Sequence, residues 1–71
     1  PMSDLTFTLT EEFIELFKLL KVLGLCESGG QAKFAVSQSQ VKVDGIVETR
    51  KAFKVRRGHR VEFAGHAVLV Q

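Results

Sequence analysis

From Leu5 the chain alternates: Leu5, Phe7 and Leu9 are apolar, and Thr6 and Thr8 between them are polar. That is the period of a half-buried strand or extended arm. The period then lengthens. Phe13, Ile14, Phe17, Leu20 and Leu23 recur at the spacing of one apolar helix face. Thr10 reads as its N-cap, with Glu11 and Glu12 in the first turn, where the helix dipole favours negative charge. Gly24 suits a left-handed C-cap, with Leu25 folding back on the last turn. A first helix is predicted over residues 11–23.

Ser28 opens a second helix. Ser28-x-x-Gln31 has the form of a capping box. Ala32, Ala35 and Val36 form a narrow stripe of small residues that lets this helix lie close to the first, and Lys33, Phe34 and Ser37 occupy the opposite surface. The helix is expected to end at residues 37–39. From Gln40 the period returns to two: Val41 and Val43 point one way and Lys42 the other. Asp44-Gly45 signals a type I′ hairpin turn, which needs positive φ at both positions. Residues 46–49 return, and Arg50-Lys51 begins a basic connection. Phe53 and Val55 alternate with Lys54 and Arg56, and Val61 and Phe63 with Arg60 and Glu62. Turns fall at Arg57-Gly58-His59 and Ala64-Gly65-His66, and residues 67–70 make a last strand. This order predicts the α+β class: two packed antiparallel helices followed by a small antiparallel sheet, with a short N-terminal strand, in one domain over residues 1–71.

Size and composition narrow the function. A chain of 71 residues buries only about 60% of its unfolded surface, so nearly every apolar residue must contribute to one core. An apolar fraction of 45% excludes disorder over most of the length. The most apolar run, residues 16–25, is interrupted by Lys18 and Lys21 and is too short to cross a bilayer. No secretory signal is visible, and Pro1-Met2 reads as a remnant ahead of a native initiator. The lone Cys26 forms no internal disulfide, which fits the cytoplasm. Catalysis has little support. Cys26 has no histidine near it in sequence, and His59 and His66 fall in turns. One Cys and two His do not make a metal site, and Gly29-Gly30 lacks the phosphate-loop spacing. No cofactor and no enzymatic activity are expected.

Charge changes the picture. Residues 1–27 carry a net charge of −3 and residues 28–71 a net charge of +5, which points to a polyanionic partner. Lys42, Lys54, Arg56 and Arg60 take the outward phase of their strands. Arg50, Lys51 and Arg57 sit in the connections, and Lys33 lies on the exposed side of the second helix. If the strands form a meander, these bases make one contiguous patch suited to a folded RNA backbone. The start of the second helix adds outward backbone N–H groups and partial positive charge. A solvated basic surface explains the same residues. So does a protein-interaction module that docks an acidic partner or self-associates through Phe34. Phe34 itself is expected to pack against the N-terminal arm near Phe7 or Leu9, the alternative being a stacking platform for an unpaired base.

Ser28-Gly29-Gly30-Gln31-Ala32-Lys33 followed by Gln40-Val41-Lys42-Val43-Asp44-Gly45 resembles the RNA-binding domain first seen in small-subunit ribosomal protein S-four, whose fold is called alpha-L. Glu48-Thr49-Arg50-Lys51 and the short length resemble the YbcJ-like group of small bacterial proteins, and the likeness covers residues 11–64. The resemblance implies a monomeric, cytoplasmic, ribosome-associated module for structured RNA of ribosomal or transfer type. No catalytic partner domain and no membrane attachment are expected. Ser28, Gly30, Gln31 and Lys33 would lie at the RNA-facing helix start and Lys42, Arg50 and Lys51 on the adjoining rim. Lys54 and Arg56, by strand phase, and Arg57, in the connection beside them, complete the candidate site. Three positions depart from the family pattern. Ser39 replaces a glycine, which would reshape the turn before Val41. Asp44 replaces asparagine, and His59 replaces an acid whose turn hydrogen bond it would not obviously supply.

Overall fold

The N-terminal alternation becomes a strand by pairing with the other end of the chain. In the computed structural model, which describes residues 3–71, β1 (Ser3–Phe7) lies parallel to β7 (His66–Val70), with Leu5 opposite Val68 and Phe7 opposite Val70. The pairing continues past the strands: the Leu9 N–H donates to the Gln71 carbonyl, and the Gln71 N–H to that of Phe7. Pro1-Met2 lies outside the described residues. With β3 (Lys42–Val43), β4 (Ile46–Val47) and β6 (Arg60–Phe63) the sheet has the order β1-β7-β6-β3-β4. The other pairings within it are antiparallel, so the α+β expectation holds with a mixed sheet, because the first strand enters parallel to the last.

The first helix starts later than its local signals indicate. Residues Ile14–Glu15 form β2, antiparallel to β5 (Lys54–Val55), and α1 runs Leu16–Val22. Thr10 is exposed and caps nothing; the N-cap is Glu15, without a side-chain cap bond. Instead the Leu16 N–H donates to the Phe53 carbonyl at 2.9 Å and the Phe17 N–H to the Lys51 carbonyl at 3.1 Å. Two of the helix's orphan donors are thus met by the connection ahead of β5. The buried face accordingly shifts to Leu16, Leu19 and Leu20, while Phe13 is exposed.

The second helix, α2 (Gly29–Ser37), keeps its predicted limits. The Ser28 hydroxyl accepts from the Gln31 N–H at 3.0 Å; the Gln31 side chain reaches the Glu27 N–H, one residue earlier than a standard capping box. Both helices end alike. Gly24 has φ 74°, with the Gly24 and Leu25 N–H groups bonded to the Lys21 and Leu20 carbonyls. Ser39 has φ 61°, with the Ser39 and Gln40 N–H groups bonded to those of Val36 and Ala35. Each is the paired-bond helix terminus that glycine usually supplies. Ser39 therefore preserves the turn that its replacement of glycine was expected to reshape.

Leu16, Leu19, Leu20, Ala32 and Val36 from the helices meet Val43, Val61 and Val68 from one sheet face in a single apolar cluster. Among the described residues no polar or charged side chain is buried. The predicted type I′ turn is present, with φ 52° at Asp44 and 82° at Gly45. It is tied to β6: the Asp44 N–H donates to the Arg60 carbonyl, and Asp44 Oδ1 accepts from the Arg60 N–H at 2.9 Å.

Candidate nucleic-acid interface

Ser28 takes an extended backbone, φ −142° and ψ 163°, and α2 begins beyond it with two glycines. Only Gly29 is packed: a Cβ there would meet the Phe17 ring at 3.8 Å. Phe17 thus lies against the first turn of α2, and its own N–H is the one that α1 donates to the Lys51 carbonyl. Lys33 also meets this ring, its Nζ 4.7 Å from the centroid, with Lys18 Nζ at 5.9 Å. A cation over an aromatic face is attracted by the ring quadrupole and still presents its N–H groups to solvent. Ser28, Gly29, Phe17, Lys33 and the backbone of Lys51 therefore form one corner. Gly30 is open, since a Cβ there would meet only the Ser28 hydroxyl at 4.0 Å.

A second group forms around Phe13, which carries Lys54 Nζ at 4.9 Å and Arg56 Cζ at 5.7 Å. The pairing of Glu15 with Lys54 joins it to the entrance of α1, beside the first group. Arg56 is also 3.5 Å from Glu12. Lys42 belongs to neither group. It alternates with buried Val41 and Val43 and pairs across the strands with Glu62, so it stands on the sheet face turned away from the helices. The bases therefore do not make the single contiguous patch expected from strand phase, since Lys42 stands apart from the groups at Phe17 and Phe13.

Internal acids account for part of the dispersion. Glu48 holds Arg50 through both carboxylate oxygens, at 2.9 Å to Nε and 3.0 Å to Nη2, and accepts the Arg50 backbone N–H as well. These bonds lower the Glu48 carboxyl from its usual 4.5 to about 2. Arg60 pairs with Glu62 at 2.9 Å. Arg57 donates to the Leu9 carbonyl and so anchors the N-terminal arm. Lys33, Lys42, Lys51 and Lys54 have no acid partner among the described residues. His59 also differs from expectation. Its Nδ1 accepts the Arg56 N–H at 2.9 Å, so the turn hydrogen bond is made, and its ring lies 5.6 Å from that of Phe53.

Phe13 and Phe17 are the residues the sequence pattern misses. Both read as helix-face core residues, and nothing local pairs them with cations from another helix or strand. Phe34 departs the other way: it is 63% exposed and does not pack on Phe7 or Leu9. Chemistry elsewhere is sparse. Cys26 is buried, and burial pushes its thiol up, away from the reactive thiolate. Among the described residues no cluster of His, Cys, Asp and Glu could hold a metal, and no helix is long and apolar enough to cross a membrane. A cleft of about 740 Å³ opens beside Phe13, where Glu11, Glu12 and Glu15 outnumber Lys18 and Lys54 in the lining and make it a poor seat for a polyanion.

Two helices on one face of a small mixed sheet, with a glycine-opened helix start beside a lysine–phenylalanine corner, define an α+β domain of the alpha-L type. The S4 domain family matches residues 7–71, and the chain belongs to that family. It is 54% identical over 66 residues to YbcJ of Escherichia coli (strain K12), a protein provisionally named as RNA-binding, covering 92% of this chain and 94% of YbcJ. The Shigella flexneri protein YbcJ matches with the same identity and coverage. The fold is similar to the solution structure of E. coli YbcJ, described as an alpha-L motif involved in RNA binding. The TM-score is 0.67 at 48% identity, over 99% of this chain and 87% of that one.

Proposed function

We propose that this chain is a non-catalytic module that binds structured RNA, of ribosomal or transfer type, in the bacterial cytoplasm. The observation that carries the reading is the corner at the start of α2. There Lys33 is held over Phe17, Lys51 is joined to α1 through its backbone, and Gly30 leaves the helix start open to a phosphate. Family membership and the RNA-binding descriptions attached to YbcJ support the same reading.

The contact surface we favour is narrower than the full basic set. Ser28, Gly30, Gln31, Lys33 and Lys51 form its centre, and Lys54 extends it along the α1 entrance. Arg50 and Arg56 contribute less, because Glu48 and Glu12 already oppose their charge. Arg57 serves the fold. Lys42 lies on the other sheet face and would reach only an RNA that wraps the sheet.

Fluorescence anisotropy with a labelled stem–loop RNA tests this. Lys33→Glu combined with Lys51→Glu abolishes binding while the far-ultraviolet spectrum and melting curve stay native. Wild-type affinity falls with salt, with a log–log slope of about −0.7 to −0.9 per phosphate contacted. Unchanged affinity in the folded double variant rejects this surface. Binding to an acidic protein, with no binding to the stem–loop RNA, supports the protein-interaction reading instead.

A further inference from the structure

We propose that Phe34 is a stacking platform for one unpaired base of the bound RNA, and that it sets a preference for RNA with a single-stranded loop over continuous duplex. This rests on the RNA-binding reading and adds a specificity-determining residue to it.

Phe34 stands in the middle of α2 with 63% of its surface in solvent. Its helical neighbours one turn away are Gly30 and Gln31 on one side and Ser37 and Gln38 on the other, all exposed. Ser37 donates its hydroxyl to the Phe34 carbonyl at 2.8 Å, so it turns back on the helix and leaves the ring uncovered. Burying an aromatic ring is among the largest apolar gains open to a small domain, yet this ring is left outside. It lies one turn, about 5.4 Å, past Gly30, where no side chain blocks the helix start. A nucleotide with its phosphate at the Gly29–Gly30 backbone can therefore lay its base on Phe34.

The surroundings favour a base over a second protein. A stable interface buries about 800 Å² per partner around an apolar centre. A phenylalanine supplies at most about 250 Å², and here it sits among glycine, serine and glutamine. One flat ring in a frame of small polar side chains matches the π-face and polar edge of a nucleotide.

The test compares a stem–loop RNA with a fully paired duplex of the same length and charge, at fixed salt. The protein forms are wild type, Phe34→Trp, Phe34→Leu and Phe34→Ala. Phe34 supports no core packing, so all should fold, which melting curves verify. Phe34→Ala and Phe34→Leu are expected to weaken stem–loop binding about 5- to 150-fold. Phe34→Trp retains it, duplex binding is unmoved, and the Phe34 ring protons shift upfield when the stem–loop is added. Wild-type affinity in Phe34→Leu, or equal losses on stem–loop and duplex, overturns the proposal and leaves the RNA-binding surface standing. Loss of self-association with unchanged RNA affinity also overturns it, in favour of a protein contact. Failure of wild type to bind either RNA removes the underlying reading with it.

Discussion

The Nζ of Lys33 stands 4.7 Å from the centroid of the Phe17 ring, a contact between two helices. At an exposed site such a pair contributes about 0.5–1 kcal/mol. A double-mutant cycle with Phe17→Leu and Lys33→Met should return a coupling of that size in urea unfolding. Leucine preserves most of the half-buried apolar contact and removes only the quadrupole. A coupling within error of zero would mean that the lysine is not held, and that the corner is not organised in advance of RNA.

Ser39 takes the left-handed conformation at the end of α2 that Gly24 takes at the end of α1. For a residue with a Cβ that conformation costs about 1–2 kcal/mol, whereas glycine gives up about 0.5–1 kcal/mol through its freer unfolded chain. Ser39→Gly should therefore stabilise the protein by about 0.5–1 kcal/mol, seen as a higher urea midpoint at constant slope. Gly24→Ala should do the reverse. A lower midpoint in Ser39→Gly would show that the serine hydroxyl contributes something the backbone geometry does not reveal.

Local chemistry was legible and long-range pairing was not. The Ser28 cap, the Gly24 terminus and the Asp44-Gly45 turn are written in single residues whose backbone preferences dictate the outcome, and all three appear as read. Thr10-Glu11-Glu12 is an equally good helix start, yet β2–β5 pairing overrides it, because extended backbone at Ile14–Glu15 gains partners from Lys54–Val55. The parallel join of β1 to β7 links the two ends of the chain, and no local pattern announces it. Within the candidate site, strand phase correctly turned Arg60 outward. The same phase turns Glu62 outward beside it, two residues on in an extended strand, and Glu48 stands in the same relation to Arg50. Those neutralising pairs were present in the alternation. The contacts of Phe17 with Lys33 and of Phe13 with Lys54 and Arg56 were not, since each joins residues far apart in sequence.

The Glu48–Arg50 pair gives stability a defined pH dependence. Its three hydrogen bonds favour the carboxylate and bring Glu48 from its usual 4.5 to about 2 in the folded state. A depressed acid binds fewer protons folded than unfolded. Its contribution is therefore complete above the unfolded value, near 4.5, and is lost as pH falls through the folded value, near 2. Other carboxylates titrate in the same window, so the readout is the difference between wild type and Arg50→Gln. That gap in unfolding free energy should be constant from pH 7 to 5 and close between roughly 4.5 and 2. It should be modest and shrink with salt, since 72% of the Arg50 side chain faces solvent. Glu48 also stays charged wherever RNA binding can be measured, so Arg50 remains opposed there. Arg50→Gln should then weaken stem–loop binding much less than Lys33→Glu. An equal loss in the two variants would show that RNA displaces Glu48 and recruits the guanidinium.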